Sequence, residues 1–128
     1  MKLALLSDLH ANRQAFDACL QHARAQGAIH FALLGDLVGY GADPVAVVEQ
    51  AMQLAEAGAW IVQGNHDAMA LQPPTQAQTL GEQSAQWTHD RLTPAHRAFL
   101  AALPLQITLD NTLLVHASPE APERWRYV

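Results

Sequence analysis

The chain has 128 residues and 50% of them are hydrophobic, which is enough for one domain with an apolar core and excludes a disordered chain. Its formal net charge of −5 argues against the basic surface that nucleic-acid binding requires. No run approaches the roughly 20 apolar residues of a membrane span, and the apolar N-terminus is too short for a signal peptide. Cys19 is the only cysteine, so no intramolecular disulfide can form. We therefore expect a single cytoplasmic domain over residues 1–128, without a nucleic-acid or membrane partner.

The first half of the chain alternates between strand and helix patterns. Short apolar runs predict strands, and periodic apolar residues between capping residues predict helices. In chain order the predicted elements are a strand Lys2–Ser7, a helix Asn12–Gln26 with Cys19 on its apolar face, a strand Ile29–Leu34, a helix from Asp43-Pro44 to near Gly58, and a strand Trp60–Val62. This β-α-β-α-β order favours a parallel sheet with right-handed crossovers.

The second half has a different pattern. After the break at Gln72-Pro73-Pro74, one helix is predicted over Thr79–Arg91 and a shorter one from Thr93 to Pro104. Two apolar runs on either side of Asp110-Asn111 predict a hairpin, Ile107–Leu109 with Leu113–His116. The predicted fold class is therefore α/β, with a parallel sheet followed by a C-terminal hairpin.

Polar motifs follow the predicted strands at four places. These motifs are Asp8-Leu-His10, Gly35-Asp36, Gly64-Asn65-His66-Asp67 and Val115-His116. Ligands of open parallel sheets bind outside the carboxyl ends of the strands, so we expect the motifs to converge there. Aspartate, asparagine and histidine side chains bind divalent metal ions. The sequence therefore predicts a metal site built from Asp8, His10, Asp36, Asn65 and His116.

The types of ligand indicate a particular chemistry. A carboxylate such as Asp36 can bridge two cations, and a pair of cations can bind a phosphate ester and activate a water molecule as the nucleophile. His66 directly follows a ligand and could protonate the leaving oxygen, with Asp67 holding its imidazole in orientation. Bound cations would also offset the repulsion between a phosphate ester and an acidic protein. We interpret the motifs as a two-metal site for hydrolysis of phosphate esters.

Each motif alone also has an ordinary structural explanation. Asp8 could cap a helix, Gly35-Asp36 could be a strand-to-turn junction, and His116 could be a buried sheet histidine. Their joint occurrence at successive strand ends favours the metal site. A metal-binding or interaction module without turnover remains the alternative function. Tyr40 could stack on a substrate base or only pack its loop, and with Asn12 it is the weaker candidate for substrate contact.

The four motifs resemble those of the calcineurin-like metallophosphoesterase superfamily, namely D-x-H, G-D, G-N-H-D and a later strand-end H. Within it, the segments 35–44 and 115–119 are similar to a bacterial and archaeal branch of predicted phosphodiesterases. The resemblance implies a sandwich of two sheets flanked by helices. It also implies two divalent ions, Mn, Fe, Zn or Ni. By the same resemblance the first ion is held by Asp8, His10 and Asp36, the second by Asp36, Asn65 and His116, and His66 with Asp67 acts as the general acid.

One part of the family pattern is missing from the sequence. The family continues with a G-H-x-H motif, which gives one histidine to each metal, and nothing in residues 117–128 matches it. The resemblance therefore implies the N-terminal portion of such a domain, with an open sheet edge and uncovered apolar surface. From this we expect a homo-oligomer, with Trp125 and Tyr127 as candidates for covering that surface.

Overall fold

The computed structural model describes all 128 residues, and its first half forms a three-stranded parallel sheet. The strands, in spatial order, are β1 (Leu3–Leu6), β2 (His30–Leu33) and β3 (Trp60–Ile61). They are connected by α1 (Arg13–Ala25) and α2 (Pro44–Glu56). The predicted β-α-β-α-β order is confirmed, so the loops that follow β1, β2 and β3 meet at one edge of the sheet.

The starts of the first two helices follow from their sequences. Asn12 is the N-cap of α1 and accepts a hydrogen bond from the backbone N–H of Ala15. Pro44 opens α2, where its missing N–H costs nothing. Asp43 stands at the N-cap position of α2, as predicted, but its carboxylate makes no capping hydrogen bond. The side chain of Asp43 is therefore left for other contacts.

Three helices follow the sheet: α3 (Asn65–Leu71), α4 (Leu80–Arg91) and α5 (Pro94–Ala102). Thr79 and Thr93 are the N-caps of α4 and α5. Both helices begin where they were predicted to begin. Helix α3 was not predicted. It begins inside the Gly64-Asn65-His66-Asp67 motif, with Gly64 as its N-cap.

The C-terminal hairpin is confirmed as an antiparallel pair of β4 (Gln106–Leu109) and β5 (Thr112–Val115). It packs on one face of the parallel sheet, where Leu114 is buried against Ala32 and Val62. The opposite face of the sheet carries the main core, which includes the buried side chains Phe16, Leu20, Leu33, Val47, Val48 and Leu100. The sheet is therefore covered by helices on one side and by the hairpin on the other.

The outer edge of β1 is open, because β1 pairs only with β2. Leu5 on β1 is 57% exposed, and an apolar groove between β1 and α1 contains Cys19 and His22. The position of Cys19 on the apolar face of α1 predicts that it is buried, but this prediction is wrong, because Cys19 is exposed. The apolar face of α1 extends to this groove, and no further element covers it there. None of the helices is long and apolar enough to cross a membrane.

Candidate metal centre

Two loops at the carboxyl edge of the sheet are bonded to each other through their backbones. The N–H groups of Asp8, His10 and Ala11 donate to the carbonyls of Gly35, Asp36 and Leu37, at 3.0, 3.0 and 2.8 Å. This pairing continues that of β1 with β2 beyond the strands. It places the first two polar motifs side by side.

These loops use backbone conformations that are uncommon for residues other than glycine. Asp8, His10, Ala11 and Asp36 have φ angles of 56°, 45°, 52° and 56°, in the left-handed region. Such outliers cost free energy and concentrate at functional sites. The sharp reversals that they introduce follow directly after the strands.

Close backbone packing brings the third motif to the same place. A Cβ on Gly64 would overlap the carboxylate and backbone nitrogen of Asp36, so only glycine fits there. Gly35 has a φ of 96°, and a Cβ on it would lie 2.7 Å from His116 Nδ1. The glycines of both motifs therefore allow the end of β2, the start of α3 and the hairpin to lie in close contact with one another.

The five predicted ligand residues lie together around the carboxylate of Asp36, which is buried. Asp36 Oδ2 is 3.6 Å from His10 Nε2 and 3.4 Å from His116 Nε2. Asp8 Oδ1 lies 3.6 Å from His10 Nε2, and Asn65 Oδ1 lies 3.0 Å from His116 Nε2. Ligand atoms of Asp8, Asp36 and His116 all lie within 4.8 Å of one another.

Backbone carbonyls of the second loop fix both imidazoles. His10 Nδ1 lies 3.1 Å from the Val38 carbonyl, and His116 Nδ1 lies 2.7 Å from the Leu34 carbonyl. Each Nδ1–H is assigned as the donor because a carbonyl can only accept. This leaves Nε2 of both rings directed at Asp36. A second nitrogen bonded in this way is typical of metal-binding histidines.

The charges of the centre are coupled through Asp36. The hydrogen bond to Asp36 raises the pKa of His116 to about 9, against the effect of burial. Burial opposes ionisation of Asp36, but hydrogen bonds from His116 and from the His66 backbone lower the pKa of its carboxyl. Carboxylate, amide and imidazole donors directed at one point fit divalent cations, which would replace the proton that His116 shares with Asp36.

His66 lies in the first turn of α3 and borders the same metal centre. Its backbone N–H donates to Asp36 Oδ1 at 2.9 Å. Its Nδ1 is buried without a hydrogen-bond partner, so Nε2 is the nitrogen available to the cavity. Burial is the main cause that lowers the pKa of His66.

The predicted pairing of Asp67 with His66 is wrong. Asp67 is fully buried, and its carboxylate accepts hydrogen bonds from three backbone N–H groups, those of Asp36 and Gly64 at 2.9 Å and that of Val38 at 3.2 Å. Successive residues of a helix point about 100° apart, so Asp67 cannot face its neighbour's ring. Burial raises the pKa of Asp67 to about 7, although these N–H groups act to lower it.

Asp67 instead holds the second loop in place, a function that the sequence reasoning missed. A signal for it was present, since an acidic residue three positions after an N-cap often accepts the N-cap N–H. Asp67 stands in that position relative to Gly64. The motif was interpreted as the end of a strand, so the start of a helix at Gly64 was not predicted.

A cavity of about 360 Å³ opens over the centre. Besides the five ligand residues and His66, it is lined by Tyr40, Ala117 and residues 125–128. Trp125 and Tyr127, the candidates for covering apolar surface, therefore lie beside the site, and they are not among the residues packed in the apolar cluster around Leu114. Asn12 lines an adjacent cavity of about 490 Å³, which Asp8, His10 and Tyr40 also border.

Comparison with known proteins identifies the family. Residues 1–126 match the calcineurin-like phosphoesterase superfamily domain, and the chain belongs to that family. It is 32% identical over 132 residues to the uncharacterized protein MJ0912 of Methanocaldococcus jannaschii. That match covers 98% of this chain and 53% of MJ0912.

Solved structures agree with this family and with the fold. A metallophosphoesterase from Sphaerobacter thermophilus superposes with a TM-score of 0.82 at 32% identity, over 98% of this chain and 50% of its own. A protein provisionally assigned as a diadenosine tetraphosphatase superposes with a TM-score of 0.70 at 27% identity, over 91% of this chain and 50% of its own. The chain thus spans about half the length of the relatives that it matches.

Proposed function

We propose that the chain carries the ligand set of a metal-dependent hydrolase of phosphate mono- or diesters, acting through a dinuclear centre. The observation that carries the proposal is the position of Asp36 Oδ2. It lies between the Nε2 atoms of His10 and His116, at 3.6 and 3.4 Å. One oxygen of a buried carboxylate with an imidazole on either side is suited to bridging two cations.

The donor set divides naturally into two halves. Asp8, His10 and Asp36 would hold one ion, and Asp36, Asn65 and His116 would hold the other. Mixed oxygen and imidazole donors suit Mn, Fe, Zn or Ni better than purely oxygen-binding cations such as calcium. Cations there would neutralise phosphate oxygens and lower the pKa of an attacking water.

In this proposal, side chains of the protein orient the ester and supply a proton to the leaving oxygen. His66, which lines the cavity, would give a proton from Nε2 to the leaving oxygen, and burial, which lowers its pKa, makes the imidazolium a stronger acid. The backbone bond from His66 to Asp36 fixes the distance between this acid and the ligands. The cavity opens to solvent, so a small ester can enter it. We further propose a cytoplasmic location, because the single cysteine offers no disulfide.

One observation favours a second candidate, a metal-binding module without turnover. His66 Nδ1 has no hydrogen-bond partner, so no side chain fixes the tautomer of the proposed acid. An acid without an orienting partner would be less effective. Activity measurements therefore decide between the two candidates.

The test combines elemental analysis with hydrolysis of bis-p-nitrophenyl phosphate in the presence of Mn²⁺. We expect Asp36→Ala to lose metal and activity together. His66→Ala should keep its metal and lose about 10²–10⁴-fold in rate, the usual effect of deleting a general acid. His22→Ala, at an exposed histidine of α1, is the control and should match the wild type.

Metal bound by the wild type without any hydrolysis would favour the binding module. Equal metal loss in His66→Ala and Asp36→Ala would contradict the roles assigned to both residues. Hydrolysis that persists after removal of all divalent metal would exclude a metal-dependent mechanism.

A further inference from the structure

Tyr40 has an exposed ring in a fixed position beside the metal centre. Tyr40 is 54% exposed, and its φ of 62° lies where bulky residues are rare. The conformation is held by α4, since the Tyr40 N–H donates to Ser84 Oγ at 2.6 Å. The hydroxyl end lies against Gly81, on which a Cβ would be 3.2 Å from Tyr40 Oη. A strained backbone therefore presents an aromatic ring to solvent.

The ring stands between the two cavities of the site. Its centroid is 5.2 Å from that of His10 and 4.7 Å from that of His66. Tyr40 lines both the cavity over the metal ligands and the adjacent cavity that contains Asn12. A molecule bound at Asp36 and extending sideways would pass over this ring.

The adjacent cavity is suited to an uncharged polar group. No lysine or arginine lines it, whereas Asp8 and Asp43 do, so a further phosphate would be repelled. Asn12 uses Oδ1 for its helix cap, which leaves its amide N–H groups as donors. The Asp43 carboxylate makes no capping bond and is available as an acceptor. Gln14 adds a further donor and acceptor at the same wall.

We propose that the substrate is a nucleoside phosphate ester, with its phosphoryl group at Asp36, its base stacked on Tyr40 and the polar edge of the base in the adjacent cavity. This inference rests on the proposed function, because the phosphoryl group needs the metal centre. Stacking supplies the preference for a base, since every base has a flat face that binds an aromatic ring. The donors and acceptors of Asn12, Gln14 and Asp43 then bind its edge.

Adenosine 5′-monophosphate and ribose 5-phosphate form the test pair, because ribose 5-phosphate has a hydroxyl group where the adenosine ester has its base. Binding is measured by calorimetry with Mn²⁺ present, and turnover by release of inorganic phosphate. We expect the wild type to prefer the adenosine ester by about 5- to 150-fold, the range that one stacked base contributes. Tyr40→Asn removes the ring and tolerates a positive φ, and it should bring the ratio close to one.

Three further variants make the result specific. Tyr40→Gly repeats the ring deletion with another residue that accepts a positive φ, in case Tyr40→Asn does not fold. Tyr40→Phe keeps the ring and should keep the preference. Trp87→Leu, at a partly exposed aromatic residue that borders a different cavity, should leave the ratio unchanged.

The outcomes separate this inference from the proposed function. Binding that prefers the adenosine ester in a Tyr40-dependent way, but without turnover, supports the binding of a base at Tyr40 and contradicts the hydrolysis of these monoesters. Equal use of both esters, or a ratio that both Tyr40 deletions leave unchanged, overturns the inference while the hydrolase proposal stands. Binding of neither ester also overturns the inference.

Discussion

The strand-end loops and the C-terminal hairpin both supply metal ligands, but they hold these ligands by different interactions. The loops after β1, β2 and β3 are held by buried hydrogen bonds between backbones and by the Asp67 carboxylate. The hairpin supplies His116 and is held mainly by apolar packing of Leu114 against the sheet. Polar interactions hold the loops that carry four of the ligands. Apolar packing holds the strand that leads to His116, whose ring is then bonded to the Leu34 carbonyl.

Because of this difference, the structural effect of a substitution should extend further in the loops than in the hairpin. Hydrogen bonds are directional and share acceptors, so loss of Asp67 should disturb the loop of Asp36 and the start of α3 at once. Apolar packing is less directional, so a hairpin with a smaller residue at Leu114 can settle elsewhere on the sheet. We expect a substitution in the loops to disturb all of the loops together, and a substitution in the hairpin to displace only the hairpin.

The largest effect is expected from Asp67→Ala. Three buried N–H groups would lose their acceptor, and each unsatisfied group costs about 1–3 kcal/mol. The free energy of unfolding should fall by about 3 kcal/mol or more in chemical denaturation. Asp67→Asn should lose most of the same stability, because its side-chain NH2 group would face a backbone N–H and could not accept a hydrogen bond from it. A loss below about 1 kcal/mol would show that the loops do not depend on Asp67.

A smaller loss is expected from Leu114→Ala, about 2–3 kcal/mol, because it leaves a cavity beside Ala32 and Val62. Manganese affinity, measured by calorimetry, should also fall because His116 follows two residues later. Leu113→Ala is the matched control, since Leu113 is 44% exposed on the opposite face of the hairpin. If both variants had equal effects, apolar packing would not be what positions His116.

His116 should make metal binding depend on pH. In the metal-free chain its pKa of about 9 keeps it protonated beside Asp36, and a cation must displace that proton. Affinity for Mn²⁺ should therefore rise with pH from 6.5 toward about 9, by at most about tenfold per unit. Titration calorimetry in buffers of different ionisation enthalpy would detect the released proton. His116→Gln should bind more weakly and release fewer protons; an unchanged proton count would contradict this assignment.

The smallest effect concerns the open edge of the sheet, which lies outside both regions. We predict that the chain associates with itself there, because Leu5 is 57% exposed on a strand with one unpaired edge. Leu5→Lys should weaken association in sedimentation velocity runs. Leu80→Lys, at a leucine that is 73% exposed at the start of α4, is the control. A wild-type monomer at high concentration, or equal effects of both variants, would exclude this edge as the contact.

Sequence patterns predicted the elements well where local and global signals agree. The strand-helix alternation, the helix starts at Asn12, Thr79 and Thr93, and the hairpin around Asp110-Asn111 all follow from short-range chemistry. The convergence of the ligand residues follows from topology, because parallel strands bring their carboxyl ends to one edge.

The features that the sequence could not predict depend on the directions of side chains and on which elements pack against one another. Adjacency in sequence suggested that Asp67 faces His66, but the helix that begins at Asn65 turns them apart. The exposure of Cys19 depends on what covers the edge strand, which no periodicity in α1 encodes. The free carboxylate of Asp43 and the exposed ring of Tyr40 likewise become visible only in three dimensions.

The left-handed backbone at Asp8, His10, Asp36 and Tyr40 sets a limit on attempts to improve this protein by selection. Such a conformation costs an L-residue roughly 1–2 kcal/mol that glycine avoids. A screen for thermal stability alone would therefore favour glycine at Asp8, His10 and Tyr40, whereas glycine at position 36 would also leave the His66 N–H without its acceptor. Each of those substitutions would remove a proposed metal ligand or the proposed stacking ring. Directed evolution of a more heat-resistant variant must therefore select for metal or nucleotide binding at the same time. Otherwise the site residues will be among the first to be replaced.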